Sequence, residues 1–540
     1  MANVSINKKR FEKDIGKLDE KMQERIAMFG TPIDKIHEIE FEIEVGPNRP
    51  DMLSYQGFKR SFLAFIGKET GLKEYKLNKP EKDYKVIIDN SVKDIRPYTA
   101  CAIVKGIKFD DERIKEMIDM QEKLHFTIGR KRKKMAIGIY PLEQIKLPIT
   151  FKALEPDKIK FIPLESDKEM SGLQILQKHP KGKEYAHLLS GKQKFPIFID
   201  SNNNILSMPP IINSQSTGKV TKETTDIFVE CSGFDFENLS KCLNIVVASF
   251  ADMGGKIYEM ELEYKEKRVT PNFSIEKMKL NLKNANSLLG LELNEKEEKN
   301  LIEKMGYNFN KGIVEIPSWR VDILHEVDLI EDIAIAYGYE NFIPKIPEVS
   351  TVGGESRKES IKRKIAEALV GMNMLEVSNY HLTNKQDQFK NMLMPEEDVL
   401  KVEESKTEYT ILRKNLSHYL LKNLSENVDA EYPQRIFEIG RIFNKEETDS
   451  LAIALTPSNF TELRQVLEYL FRMLNLPLIF NEPEKCQNHF IDGRTISINF
   501  NDKEIGTLGE IHPKILRNWK IKMPVALLEI NLKEIFDYLK

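Results

Sequence analysis

The sequence predicts an α+β protein of several domains. Its first two parts are mixed α/β, a small third part is helix-rich, and a last part is built on an antiparallel sheet. Three observations predict this. The chain has 540 residues, and at ~100–200 residues per domain that length fits roughly three to five. Short β-branched or alternating runs are interleaved with apolar residues at helical spacing throughout. In the last third, helices and antiparallel-looking strands alternate, with no internal repeat. Pattern separates four sections: residues 1–75, 83–268, 269–349 and 350–540.

In the first section, Glu38-Ile-Glu-Phe-Glu-Ile-Glu-Val45 alternates acidic and apolar residues, the period of a half-exposed strand. Gly46-Pro-Asn-Arg-Pro50 breaks it, and a helix is expected from Asp51, with Phe58, Phe62, Phe65 and Ile66 at helical spacing. The charged stretch from Lys73 to Lys85 reads as a linker. In the second section Lys85-Val-Ile-Ile-Asp89, Phe195-Pro-Ile-Phe-Ile-Asp200 and Asp226-Ile-Phe-Val-Glu230 read as strands. The Asn triplet after Asp200 is a turn between two strands, and Pro209-Pro210 puts its segment at a sheet edge or a cleft wall.

In the third section, Asn294 and Glu297 form a capping box for a helix carrying Leu301, Ile302 and Met305, which Gly306 ends. A second helix runs from Glu326 to Tyr337 and stops at Gly338. In the fourth, Ile361, Ile365, Leu369 and Met372 mark an amphipathic helix, and residues 434–440, 495–500 and 525–530 read as strands.

Composition restricts function. Lys+Arg 81 against Asp+Glu 84 leaves a net charge of -3, so any nucleic acid must be met by local patches. Gly129-Arg-Lys-Arg-Lys-Lys134 is the densest one, either a phosphate contact or a solvated loop. Cys101, Cys231, Cys242 and Cys486 form no Cys-x-x-Cys pair, which speaks against a zinc ribbon and for buried thiols in a reducing compartment. Residues 1–20 are too charged for a secretory leader, and no apolar run reaches the roughly 18 residues of a membrane span. A cytoplasmic location without membrane contact is expected.

Pro317-Ser-Trp-Arg-Val-Asp-Ile-Leu-His-Glu-Val-Asp-Leu-Ile-Glu-Asp332 is the most pointed stretch chemically. Asp328, Glu331 and Asp332 share a helix face by their i, i+3, i+4 spacing, and Asp322 just before the helix can fold toward them. Four such carboxylates suit a hard cation such as Mg²⁺, with two direct and two outer ligands. The alternative is a solvated acidic face favoured by the helix dipole.

The Ser-Trp-Arg-Val-Asp-Ile and Asp-Leu-Ile-Glu-Asp-Ile-Ala-Ile-Ala-Tyr-Gly-Tyr runs resemble the metal-associated domain of phenylalanyl-tRNA synthetase beta subunits. The resemblance implies Mg²⁺ shared with an alpha subunit and held through Asp322, Asp328, Glu331 and Asp332. Ile205-Leu-Ser-Met-Pro-Pro-Ile-Ile-Asn-Ser214, Thr221 and Asp226-Ile-Phe-Val-Glu-Cys-Ser-Gly233 are similar to the editing domain of the archaeal/eukaryotic-like members. That implies hydrolysis of tyrosine wrongly esterified to the phenylalanine tRNA. Tyr differs from Phe by one hydroxyl, which a hydrophobic pocket rejects only about a hundredfold, so a second, polar pocket is useful. Ser207, Asn213, Glu230 and Ser232 supply suitable groups; Ser232 stands where the family often has Thr. Turn hydrogen bonding is the plainer role for Ser207 and Asn213.

Gln434-Arg-Ile-Phe-Glu-Ile-Gly-Arg-Ile-Phe443 and Gly509-Glu-Ile-His-Pro513 resemble the inactive class II synthetase domain of these subunits. No Gly-x-Gly-x-Gly-x-x-Arg run occurs, so ATP is expected on the alpha subunit. Arg435 and Glu438 read as a cross-strand surface pair. Glu42-Ile-Glu-Val-Gly-Pro-Asn-Arg-Pro-Asp-Met-Leu-Ser54 carries the likeness into the first section. The resemblance implies an assembly of two alpha and two beta chains acting on phenylalanine, ATP and the phenylalanine tRNA. A free-standing trans-editing deacylase and a non-enzymatic tRNA-binding scaffold are the competing readings.

Overall fold

The alternating acidic run becomes the middle of a three-stranded antiparallel sheet, ordered Ala2–Asn7, Glu40–Val45, Ile33–Ile36. Phe41, Ile43 and Val45 point into the core, and the glutamates between them face outward. The computed structural model describes residues 2–346, 348, 350–403, 405–484 and 486–539. The chain forms two units, residues 1–345 and 346–540.

In the first unit, the helix expected from Asp51 starts later. A 3₁₀ turn takes up Pro50–Met52, and Ser54 caps the helix Tyr55–Phe65 by accepting the Gly57 N–H. Asp51 is instead buried against Arg49, at 2.9 Å. The supposed linker contains a strand, Leu77–Asn78, paired in parallel with Lys256–Tyr258.

Two sheets then stack face to face. One has five strands in the order Leu77–Asn78, Lys256–Tyr258, Tyr98–Lys105, Ile227–Gly233, Met135–Pro141. The other has seven, ordered Ile212–Asn213, Ile205–Met208, Phe195–Ile199, Ile149–Leu154, Lys85–Ile88, Met260–Glu263, Lys267–Thr270. Cys101, Ile103, Tyr140 and Phe228 of the first meet Val86, Ile149, Phe151 and Phe198 of the second in one core. Helices Asp111–Phe126 and Phe236–Asp252 cover the other face of the five-stranded sheet. The Asn triplet does turn between strands: Asp200 accepts the N–H groups of Asn202 and Asn204 at 2.9 and 2.8 Å.

Farther on, a small sheet orders Glu276–Lys279, Ile313–Ile316, Asn308–Asn310, with three helices beside it. The Asn294–Glu297 capping box is present, and the last helix spans Glu326–Tyr337 with Gly338 beyond it. The architecture is α+β with several separate sheets.

The second unit is built on seven strands, ordered Leu375–Glu376, Gln434–Phe443, Glu447–Thr456, Ala526–Asn531, Lys503–Ile511, Phe490–Phe500, Ile479–Asn481. Every pairing but the first is antiparallel. Helices Arg357–Gly371 and Phe460–Met473 pack on one face, and Ser417–Glu426 with Pro513–Asn518 on the other. Among the described residues, no helix is long and apolar enough to cross a membrane.

Candidate functional site

A cavity of about 570 Å³ opens between helix Asp111–Phe126, strand Met135–Pro141 and the turn after Met208. Its walls mix apolar side chains, among them Ile114, Met117, Ile137, Ile139, Pro209 and Ile212, with charged ones such as Glu122, Arg132 and Lys181. Ser207, Asn213 and Glu230 all line it. Ser207 and Asn213 are cross-strand partners, so their side chains share a sheet face.

Ser232 does not line this cavity. It shares a strand face with Glu230, but its Oγ accepts from Arg96 Nε at 3.1 Å and its carbonyl from Arg96 Nη2 at 2.5 Å. Two residues along a strand is about one side-chain spacing, and the cavity ends before reaching it.

Glu230 is 2% exposed. Burial pushes its carboxyl up to about 8, against the opposing pull of the Arg96 guanidinium. The group is therefore chiefly neutral at pH 7. Tyr140 Oη donates to Ser207 Oγ at 2.7 Å and lies 3.3 Å from Glu230 Oε1.

Arg132, in the middle of the basic run, turns inward. Its Nη1 donates to the Ile211 carbonyl at 2.9 Å, its Nη2 to Glu122 at 2.6 Å, and its guanidinium lies 4.4 Å from the Tyr185 ring centre. It ties the turn after Met208 to helix Asp111–Phe126 across the cavity. Arg130, Lys131 and Arg132 all have positive φ, so the backbone curls to deliver that side chain.

His125 has both ring nitrogens engaged. Nε2 accepts the Ile137 N–H at 2.7 Å and Nδ1 faces Glu122 at 3.3 Å. Burial lowers its pKa, and with both nitrogens engaged no lone pair is free for proton abstraction.

Sequence reasoning missed Tyr140, Gly138, Arg132 and Glu122. The one available signal was the two-residue period of Met135–Pro141, which puts Gly138 and Tyr140 on one face.

The carboxylates of the third section do not form a four-ligand cage. Arg320 Nη2 bonds Asp322 at 2.7 Å and Asp332 at 2.8 Å, and Asp332 also accepts from the Tyr307 hydroxyl. Asp328 accepts the N–H groups of Leu324 and His325, both at 2.8 Å, closing the helix cap. Glu331 is exposed. No group of three His, Cys, Asp or Glu among the described residues is placed to hold a metal. A four-carboxylate site within this chain does not fit, because a guanidinium already neutralises two of the four.

In the second unit, Glu438 is not a surface residue. It is buried and accepts from Arg413 Nη1 at 2.6 Å and Asn379 Nδ2 at 2.7 Å. Arg435 bonds Glu462 instead, at 2.7 Å. Glu529 accepts the N–H groups of Leu416 and Ser417 at 2.9 and 3.0 Å and the Ser450 hydroxyl at 3.1 Å. The sheet's polar centre is thus filled by its own side chains.

Two family models match. Residues 278–339 fit the tRNA synthetase B5 domain, and residues 343–532 the phenylalanyl tRNA synthetase beta chain CLM domain. A stacked-sheet unit, a B5 module and a sheet domain with its polar centre filled define a subunit of an aminoacyl-tRNA synthetase. The phenylalanine–tRNA ligase beta subunit of Archaeoglobus fulgidus is 38% identical, over 99% of each chain. That of Pyrococcus horikoshii is 39% identical over 91% of this chain and 90% of its own. An N-terminal fragment of the Pyrococcus horikoshii beta subunit superimposes with a TM-score of 0.60 at 38% identity, covering 62% of this chain and 99% of the fragment. The chain belongs to the phenylalanine–tRNA ligase beta subunit family.

Proposed function

We propose that this chain is the proofreading and assembly subunit of a cytoplasmic ligase of two alpha and two beta chains, clearing tyrosine from the phenylalanine tRNA. The observation that carries the reading is the 570 Å³ cavity whose lining brings the buried Ser207 and Glu230 together with apolar side chains such as Ile137 and Ile139. An aromatic ring fits the walls, and a phenolic hydroxyl meets the floor. Neutral Glu230 can donate as well as accept there.

Hydrolysis of the ester needs a positioned water more than a side-chain nucleophile. His125 serves as a strut, its nitrogens spent on Ile137 and Glu122. Arg132 sets the turn that carries Pro210 and Ile211. Asn213 adds a side-chain amide to the cavity lining. Ser232 acts through Arg96, beside the pocket rather than in it.

Residues 83–268 form the editing domain and 269–349 the module docking the alpha subunit, after an N-terminal domain in 1–75. Residues 350–540 are an inactive class II-like domain. ATP is bound by the alpha subunit. Glu331, with Asp322, Asp328 and Asp332 beside it, would offer carboxylate oxygens to an Mg²⁺ ion shared with the alpha subunit. When bound, the ion screens charge between the two chains.

Purified with its alpha partner, the wild-type chain should deacylate Tyr-tRNA. Asn213→Ala should let Tyr-tRNA accumulate while phenylalanine charging continues. An isolated chain that deacylates as fast as the assembly would favour the trans-editing reading, and no hydrolysis in any assembly would favour the scaffold.

A further inference from the structure

Three side chains stand in series at the cavity floor. Ser207 and Glu230 line it, and Tyr140 stands behind them, fully buried. Its hydroxyl is 2.7 Å from Ser207 Oγ and 3.3 Å from Glu230 Oε1. A phenol has one proton to give. Given to Ser207 over the shorter bond, it occupies a lone pair of that oxygen and leaves the serine proton for another acceptor. An unheld serine hydroxyl rotates and presents donor or acceptor alike.

The surroundings hold this arrangement. The Tyr140 ring stacks on Phe228, centres 5.7 Å apart. Gly138, opposite Glu230 on the neighbouring strand, leaves the space in which the Tyr140 and Glu230 oxygens meet. Glu230 Oε2 is buried and has no partner among the described residues, so the floor keeps one unmet polar atom.

Resting on the editing reading above, we propose that Tyr140 is a positioning residue for substrate discrimination: it fixes Ser207 as a hydrogen-bond donor toward the phenolic oxygen of a tyrosyl ester. A phenylalanyl ester entering the same pocket leaves that donor and Glu230 Oε2 unpaired in a desolvated place. Sites that hydrogen-bond a substrate hydroxyl reject the analogue lacking it for this reason.

Tyr140→Phe tests this, because it keeps the ring and its stack on Phe228 and removes only the hydroxyl. Assembled with the alpha subunit, wild type and variant are given preformed Tyr-tRNA and Phe-tRNA. The ratio of kcat/KM for the two esters should fall about tenfold or more. The loss should sit in KM, since the hydroxyl is remote from the ester and binds ground and transition states alike. Ser207→Ala should give a similar fall, and the double variant no more than the worse single. An unchanged ratio, an equal loss on both esters, or additive effects in the double variant would overturn the proposal. Absence of Tyr-tRNA hydrolysis by the wild-type assembly would overturn the editing reading, and this with it.

Discussion

Gly138 stands directly opposite Glu230 on adjoining antiparallel strands, and a Cβ at 138 would lie 2.5 Å from Glu230 Oε1 and closer still to the Tyr140 hydroxyl. Gly138→Ala should therefore wedge the cavity floor apart. Overpacking of this kind costs about 1–3 kcal/mol. We expect that loss in denaturant unfolding, with Tyr-tRNA hydrolysis falling at least as far as in Tyr140→Phe. Normal stability and normal hydrolysis together would contradict the geometry.

The pH dependence of stability follows from Glu230. Its carboxyl is raised from 4.5 to about 8 in the folded chain. The folded state thus binds more protons than the unfolded one between these values. The stability it contributes is complete below the unfolded value and is lost as pH rises through about 8. Glu230→Gln should flatten this slope, so the variant gains on wild type between pH 5 and 9 in thermal melts. Parallel curves would count against a buried neutral Glu230.

Arg320 and Glu331 should separate structure from metal. Arg320→Met leaves Asp322 and Asp332 facing each other in a buried place, a loss of about 3–5 kcal/mol. Glu331→Ala, on an exposed position, should stay within about 0.5 kcal/mol of wild type. Yet only Glu331→Ala should weaken the Mg²⁺ dependence of binding to the alpha subunit without destabilising the free chain. Sizing chromatography at several Mg²⁺ concentrations reads this directly.

In the second unit, Arg413→Ala strands Glu438 without its guanidinium. Both side chains are nearly inaccessible, at 2% and 3% exposure, so about 3–5 kcal/mol of stability should go. Replacing both residues with apolar ones of similar volume should recover much of it. If the single variant melts like wild type, the buried pair is not sustaining that unit.

What the sequence revealed divides by range. The Asn294–Glu297 box and the helix Glu326–Tyr337 are local patterns, complete within a few residues, and the structure has them as read. Glu438 was misread as a surface partner of Arg435 because Arg413 lies outside its strand. The acids near 322 read as two direct and two outer ligands of Mg²⁺, or as a solvated acidic face, because spacing shows which groups share a helix side and not that Arg320 is folded back among them. Arg132 looked like part of a uniform basic run; only three successive left-handed residues aim it at Ile211. Ser207, Asn213 and Glu230 meet at one cavity, while Ser232, on the same strand face as Glu230, falls beyond it.

The parallel pairing of Lys85–Ile88 with Met260–Glu263, and of Leu77–Asn78 with Lys256–Tyr258, sets a timetable for synthesis. Neither stacked sheet closes until the ribosome has released residues near 263. Through that interval the apolar strand Tyr98–Lys105 is outside the tunnel while its neighbours Ile227–Gly233 and Lys256–Tyr258 are still to come. Such delay exposes a nascent chain to aggregation. A message truncated before codon 256 would yield a fragment unable to finish either sheet, a natural client for chaperones and then for proteolysis.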